Sequence, residues 1–221
     1  MKNKLDFKSI LFILSLILLI LFILLYIYQS KITTALIEKE IASSDDNKYQ
    51  GSGLEPEYDF KSVEEITLEN YMKHRQEFSK TKSDSTIDIY DVNIHLPIFK
   101  GLNQVHLIKG AGEQLPEDEM QPGNYGNYIL VAHRMPYSSK LGFARLANIK
   151  NGNKIVITKN NKKYTYSVID KIYTNNNDTK YLDNYPDRKI LTLYTCQNFS
   201  RHGENPNKIV VQAELVENDE N

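Results

Sequence analysis

Tryptophan is absent from this sequence of 221 residues, and cysteine occurs once, at Cys196. A single cysteine excludes an intrachain disulfide framework, and with no cluster of cysteine and histidine the sequence predicts no bound metal or other cofactor. Lysine and arginine together number 27, and aspartate and glutamate 28. This balance gives no basic stripe that would favour a nucleic acid as partner. The length fits one ordinary domain with smaller appendages.

The longest apolar run, residues 10–28, has the length and composition of a transmembrane helix. Ser15 is its only interruption, and at about 1.5 Å per residue the helix would cover the ~30 Å of a bilayer's hydrocarbon core. A cleaved signal peptide would have a shorter apolar region and a small-residue cleavage site, and no convincing site follows. Lysines 2, 4 and 8 precede the run, so the positive-inside rule predicts residues 1–9 in the cytoplasm and the remaining domain outside the cell.

Between this anchor and the main domain, the sequence predicts a flexible stem and one helix. The stem is assigned to residues 29–61. Its first part, residues 31–42, could continue the helix for a few turns, but residues 43–53 are small, polar and glycine-containing, with nothing to bury. Ser62 and Glu65 have the spacing of a capping box, so a helix is expected from Ser62 to about Phe78. The helix lies in a unit of residues 62–80 that packs on the outside of the domain. Its weak apolar stripe consists of Val63, Ile66, Tyr71 and Phe78.

Residues 81–221 are predicted to form the main domain, because they contain short apolar or alternating segments separated by turn residues. Seven strands are expected, at residues 87–90, 94–99, 127–132, 154–159, 163–173, 189–195 and 208–216. Residues 141–149 are the one helical-looking insertion. About seven or eight strands with few helices predict an all-β fold, a closed or nearly closed antiparallel β-barrel.

Cys196 follows the apolar strand at residues 189–195. A thiol at a strand end can meet solvent and substrate, whereas buried cysteine is more often inert, and position alone leaves both possibilities open. A nucleophilic thiol needs a cation or a base at neutral pH, and histidine is the expected partner. Of the five histidines, His133 also stands at the end of a buried strand. His202, in the loop after the cysteine, competes by proximity.

Two segments resemble, in the same order, motifs of the sortases, the surface-anchored cysteine transpeptidases of Gram-positive bacteria. Thr192–Cys196 (TLYTC) fits their T-L-x-T-C signature, and Gly123–Met135 (GNYGNYILVAHRM) is similar to their G-N-Y-x-L-A-G-H-R-M segment. Lys109–Gly112 (KGAG) is also similar to the class A branch of the family. The resemblance extends over about residues 87–216, and it implies the sortase β-barrel.

The resemblance also implies a mechanism. Cys196 is then the nucleophile that cleaves an LPxTG-like sorting signal after threonine and holds the acyl group as a thioester, with His133 as the catalytic histidine. The family carries an arginine just before its last strand. This chain has Lys208 there, which keeps the charge but loses the planar fork of a guanidinium. Arg201, in the loop before it, is the possible substitute. The implied acceptor is a peptidoglycan amine of the cell wall.

The sequence gives weaker evidence on how the substrate binds. The residues expected to contact the sorting peptide are Thr195, Val168, Ile169 and Ile172, although the three apolar ones fit a core equally well. Some class A sortases bind calcium. The acidic residues that could do so here lack a ligand spacing, so a solvated acidic loop is the expected interpretation. They are Glu113, Glu117, Asp118, Glu119, Asp178 and Asp183.

Three alternatives stay open at this point. A cysteine protease would let water resolve the thioester, so the activity would be that of a hydrolase. A surface-displayed binding module would carry the cysteine incidentally. A pilus-type or other-class sortase would use the same chemistry, but the pilus type is expected to carry an Asp-Pro-aromatic lid motif before the barrel, and Tyr58–Phe60 (YDF) lacks the proline.

Overall fold

Short strands dominate the fold, as their alternating and apolar segments predict. The computed structural model describes residues 6–43, 53–60, 63–135, 137–138, 140–175, 179–196 and 207–218. Within these ranges the α-helices are α1 (Phe7–Ser43), α2 (Leu68–His74) and α3 (Gln104–Lys109), and a 3₁₀ helix, Arg75–Lys80, directly follows α2. The strands are β1 (Ser85–Ile89), β2 (Ile94–Lys100), β3 (Ala111–Glu113), β4 (Gly126–Val131), β5 (Lys154–Lys159), β6 (Lys162–Asn175), β7 (Lys189–Cys196) and β8 (Asn207–Asn218).

The strands close into a barrel in the order β1-β2-β3-β4-β7-β8-β6-β5, with β5 pairing back to β1. This confirms the predicted all-β barrel. Most neighbouring pairs are antiparallel, as expected, but β2–β3 and β4–β7 are parallel. A parallel pair needs a long crossover connection. The chain between β4 and β7 provides it, because it contains β5 and β6.

Aliphatic side chains at alternate positions along the strands fill the barrel interior, for example Ile87, Leu130, Leu193 and Val211. All residues of β4 are buried. Its outer face is covered as well, since Ile129 packs in a separate apolar cluster that includes residues from outside the barrel. Burial on both faces explains why Tyr128–Val131 of this strand form a continuous apolar run rather than an alternating one.

The first part of the residues assigned to the stem is helical, because α1 continues beyond the apolar run as one helix of 37 residues to Ser43. Its last turns rest on the domain. Ile37 is fully buried among Tyr71 and Met135, and Glu40 accepts a hydrogen bond from the Tyr71 hydroxyl at 3.3 Å. Among the described residues, α1 is the one helix that is long and apolar enough to cross a membrane.

A second part of the predicted stem also packs on the domain. We call residues 53–60 and 63–67 the N-terminal segment. Its backbone lies against α3 and the turn before it: the Leu102 N–H donates to the Glu57 carbonyl at 2.5 Å. Gly101 has a φ of +80°, and a Cβ there would lie 2.7 Å from the Glu57 nitrogen. Glycine at this position therefore lets the two backbones approach each other.

The helix predicted from Ser62 begins later, at Leu68. Thr67 is its N-cap, since its side chain accepts a hydrogen bond from the Asn70 N–H at 3.0 Å. Ser62 lies outside the described residues, and Glu64 is not helical; its backbone bonds to the Gln104 side chain of α3. The predicted helical insertion at residues 141–149 is a turn with a short 3₁₀ helix, Leu146–Asn148.

Candidate active site

Two neighbouring strands of the barrel, β4 and β7, run parallel, so their carboxyl ends meet at the same edge. Their register pairs Val131 with Tyr194. His133 and Cys196 each lie two residues beyond this last pair, so the same register, if it is continued, predicts that they are level with each other. We call this the β4–β7 edge.

Hydrogen bonds from the intervening residues fix this register. The Ala132 N–H donates to the Tyr194 carbonyl at 3.3 Å. The Thr195 hydroxyl donates to the Ala132 carbonyl at 2.8 Å, and the Thr195 side chain is buried. This hydroxyl therefore ties the two strands together, and a contact of Thr195 with substrate stays a prediction.

The strand β8 brings a cation to the same edge. It runs antiparallel to β7, and the register pairs Cys196 with Lys208 near the start of β8. The barrel thus gathers the backbones of His133, Cys196 and Lys208, which the sequence analysis singled out separately. Arg201 and His202, the two competing candidates, lie outside the described residues.

The imidazole of His133 is half-buried at this edge. The pKa of His133 falls from 6.5 to about 4. Loss of hydration is the larger cause, and the positive charge of Lys208 is the smaller one. The ring is therefore neutral at pH 7 and carries a free lone pair, and it is a weaker base than an exposed imidazole. Its Nε2 atom lies 3.4 Å from Oε1 of Gln104. No pattern in the sequence pointed to Gln104, which stands in a stretch of mixed polar and apolar residues.

The chain after His133 turns back on itself and holds the histidine backbone. The His133 carbonyl accepts a hydrogen bond from the Phe143 N–H at 2.9 Å. Gly142 has a φ of +53°, and a Cβ there would lie 2.0 Å from the His133 carbonyl oxygen, so the turn requires glycine. Met135, in the same turn, packs in one apolar cluster with Ile37 of α1. The end of the apolar helix therefore supports the turn that carries the histidine.

The apolar residues predicted to contact substrate face different ways on β6. Val168 is buried in the barrel core, so the core alternative is the right one for this residue. The register shifts between Val168 and Asp170, and this β-bulge leaves Ile169 exposed. Ile172 is half-buried. Substrate contacts of Ile169 and Ile172 stay predictions.

Two of the acidic residues considered for calcium are engaged with lysine. Glu113 is buried and contacts Lys159 at 3.3 Å and the Tyr128 hydroxyl at 2.8 Å. Glu117 contacts the same lysine at 3.2 Å. In the part of the chain that the structure describes, no three histidine, cysteine or acidic side chains gather around a possible metal position. Asp178 lies outside that part, and the absence of a cofactor stays a prediction.

Comparison with known proteins gives the family. Residues 87–216 match the family model of the sortase domain. Sortase A of Streptococcus agalactiae is 34% identical over 161 residues, which cover 72% of this chain and 63% of that protein. Sortase A of Listeria monocytogenes is 30% identical over 139 residues, covering 63% and 60%. The chain belongs to the sortase family, with class A among its similar relatives.

A solved structure agrees with this assignment. That of Listeria monocytogenes sortase A superposes with a TM-score of 0.55 at 27% identity, covering 62% of this chain and 88% of that one. The matches to the two curated relatives span less than two thirds of those proteins' own lengths. The range that matches the family model, residues 87–216, extends from β1 to β8 and includes the β4–β7 edge.

Proposed function

We propose that this chain is a membrane-anchored cysteine transpeptidase. It cleaves an LPxTG-like sorting signal after threonine and transfers the threonine carbonyl to an amine of cell-wall peptidoglycan. The observation that carries the proposal is the parallel register of β4 and β7 up to Val131 and Tyr194, with His133 and Cys196 each two residues further along the chain. A histidine held beside a thiol by rigid strands is the arrangement that covalent catalysis by cysteine requires.

The reaction has two halves. The Cys196 thiol attacks the threonine carbonyl, a C–S bond forms, and the C–N bond to glycine breaks. His133 takes the thiol proton and gives it to the departing glycine amine. The acceptor amine then attacks the thioester, its proton passes to His133 and on to the thiolate, and the C–S bond breaks. Lys208 stands in this proposal as the cation that stabilises the oxyanion.

The proposed location follows from α1 and from the family. The apolar residues of α1 are exposed over most of its length, as they would be when facing lipid. Lysines precede the run, so the N-terminus is assigned to the cytoplasm and the barrel to the outer surface. Surface proteins with an LPxTG-like signal are the proposed substrates.

A pilus-type sortase is the second candidate, and one contact favours it. Phe60 of the N-terminal segment packs edge-on against Tyr194, with ring centroids 5.8 Å apart. Tyr194 precedes the nucleophile by two residues, so this aromatic side chain lies where a lid would lie. The missing proline in Tyr58–Phe60 still separates the chain from the expected lid motif. The acceptor decides between the two candidates: a peptidoglycan amine for the first, a lysine side chain of another surface protein for the second.

The test uses the full chain in detergent with labelled LPxTG-like peptides and both kinds of amine, and the products are identified by mass. Transfer to an amine supports the proposal, whereas release of the free acid alone would indicate a hydrolase. Cys196→Ala should abolish thioester and product, and His133→Ala should lose about a hundredfold or more in rate. His95→Ala is the matched control, because His95 is exposed on β2 and pairs with Asp88. Retained turnover in Cys196→Ala would remove the nucleophile from this mechanism.

A further inference from the structure

The side-chain amide of Gln104 lies between the N-terminal segment and the His133 ring. Its Nε2 donates to the Glu64 carbonyl at 3.0 Å, and its Oε1 accepts from the Glu64 N–H at 3.2 Å. The same Oε1 lies 3.4 Å from Nε2 of His133. Gln104 is only 5% exposed, so these contacts are largely shielded from water.

The two bonds to Glu64 decide which end of the amide faces the histidine. A glutamine amide can be turned by 180° only if its partners accept the exchange of donor and acceptor. The backbone of Glu64 does not accept it, because it presents one N–H and one carbonyl in fixed positions. The atom beside His133 is therefore the oxygen, which can only accept a hydrogen bond.

An acceptor at this position selects one form of the imidazole. The neutral ring carries its proton on either Nδ1 or Nε2, and only the Nε2–H form can donate to the Gln104 oxygen. Nδ1 then keeps its lone pair and is the nitrogen able to exchange a proton with a thiol. The present N···O distance is long for a hydrogen bond, as is common at catalytic sites without substrate.

We propose that Gln104 is a positioning residue for His133: it holds the ring by Nε2–H, fixes the tautomer, and leaves Nδ1 to exchange the proton with Cys196. This assignment rests on the proposed function, in which His133 is the proton carrier. Gln104 touches neither the substrate nor the reacting atoms, so its contribution acts through the histidine alone.

The same oxygen also favours the charged ring. When His133 takes up a proton, the bond from Nε2–H to Gln104 becomes charge-assisted and stronger. This opposes burial and the charge of Lys208 on β8, which both disfavour the imidazolium. Charged groups on the surrounding elements include Arg134, next in the chain, and Lys109 of α3, which donates to the Phe78 carbonyl at 2.8 Å. They also include Glu64, whose carboxylate is held by Lys73 at 2.7 Å and by His74. Gln104 is the acceptor in direct reach of the ring.

The neighbouring residue provides a matched control. The Asn103 side chain makes the same kind of two-bond contact with the N-terminal segment: its Nδ2 donates to the Glu55 carbonyl at 3.0 Å, and its Oδ1 accepts from the Glu57 N–H at 3.2 Å. No described contact joins Asn103 to His133. Replacing Asn103 therefore loosens the segment to a similar extent without removing the acceptor from the ring.

The experiment compares Gln104→Met, Gln104→Glu and Asn103→Leu in the full chain in detergent. Histidine labelled with ¹⁵N reports the tautomer and the pKa of His133, and His133→Ala assigns the signal. The pH dependence of kcat/KM for peptide transfer is measured on the same samples. Gln104→Met should lower the His133 pKa, admit the Nδ1–H tautomer, and reduce kcat/KM by about tenfold or more, the loss expected for one hydrogen bond to a charged group.

Gln104→Glu should move the pH profile the other way. The carboxylate keeps an acceptor on Nε2–H and adds a negative charge, so the His133 pKa should rise and the limb that titrates with it should move to higher pH. If Gln104 only packed against its neighbours, the limb of the kcat/KM profile that titrates with His133 would not shift in opposite directions in these two variants. The carboxylate loses the donor to the Glu64 carbonyl, and Asn103→Leu controls for the weakened hold on the segment. The direction of the pH shift therefore still decides the question if Gln104→Met folds poorly.

The outcomes separate the two proposals. Opposite shifts in the Gln104 variants, with an unchanged profile in Asn103→Leu, support the positioning role. If the His133 signals of Gln104→Met match those of Asn103→Leu, the inference is wrong even when the wild type is active. If the wild type transfers no peptide, the proposed function is wrong, while the nitrogen signals still decide whether Gln104 holds the ring.

Discussion

Lys159 on β5 and Glu113 on β3 form a buried ion pair whose disruption should show in the stability of the barrel. Their side chains are 4% and 2% exposed, and Nζ lies 3.3 Å from Oε1. Tyr128 donates its hydroxyl to the same oxygen at 2.8 Å. Burial raises the pKa of Glu113, and the positive charge of Lys159 offsets that effect in part. The carboxylate therefore depends on this ammonium to stay ionised.

Replacing Lys159 by methionine keeps most of the side-chain volume and leaves Glu113 without its cation. Removing one partner of a buried pair costs about 3–5 kcal/mol. At about 2–4 °C per kcal/mol for a protein of this size, Tm should fall by roughly 6–20 °C. The folded pKa of Glu113 lies above its unfolded value and should rise further in the variant. The variant is then most stable below the unfolded pKa, and it loses stability as pH rises toward the folded pKa.

Thermal unfolding of the full chain in detergent, followed by circular dichroism, tests this at pH 5 and pH 8. The loss relative to wild type should be larger at pH 8, where Glu113 must be ionised or bind a proton at a cost. Adding Glu113→Gln to Lys159→Met should recover much of the loss, because no buried charge then remains. Lys154→Met is the matched control, since Lys154 is exposed on the same strand. Equal losses at both pH values would refute the assignment of the effect to the Glu113 charge.

The remaining predictions concern the β4–β7 edge and the membrane topology. Thr195→Val removes the buried bond to Ala132, so denaturation should show a loss of about 1–3 kcal/mol, whereas an unchanged stability would mean that water satisfies the carbonyl. Lys208→Ala should lower kcat/KM on an LPxTG-like peptide by roughly a hundred- to a thousandfold, and Lys208→Arg should keep or raise it. If Arg201→Ala is the impaired variant instead, the loop supplies the cation. Protease treatment of intact protoplasts should remove the barrel, and its protection would contradict the proposed topology.

The strands were predictable because each carries a local pattern, and the elements that were missed carry none. Ala111–Glu113 of β3 contains only three residues, and its pairing with β2 and β4 makes it a strand. All residues of α3 are buried, including His106 and Lys109, so no polar face marks a helical period. The parallel pairing of β4 with β7 joins segments far apart in the chain, and no local pattern encodes it.

The same distinction applies to the candidate site. His133 and Cys196 were found because each follows an apolar strand, and the family motifs supported both. Gln104 was missed because its position depends on the N-terminal segment folding back over α3. The capping-box spacing of Ser62 and Glu65 predicted a helix start that the structure does not have, again because the N-terminal segment packs on α3. The backbone of Glu64 bonds to the Gln104 amide, which holds it out of a helix.

Two parts of the chain that precede the barrel thus reach the candidate site from different sides. The end of α1 packs under the turn after His133, through Ile37 and Met135, and Ser138 in that turn donates to Glu38 at 2.6 Å. The N-terminal segment holds Gln104 against the ring. Both parts lie before the region that matches the sortase domain. A protein trimmed at residue 81 would keep the barrel and its register but lose both supports, so its rate would describe a different active site from that of the full chain.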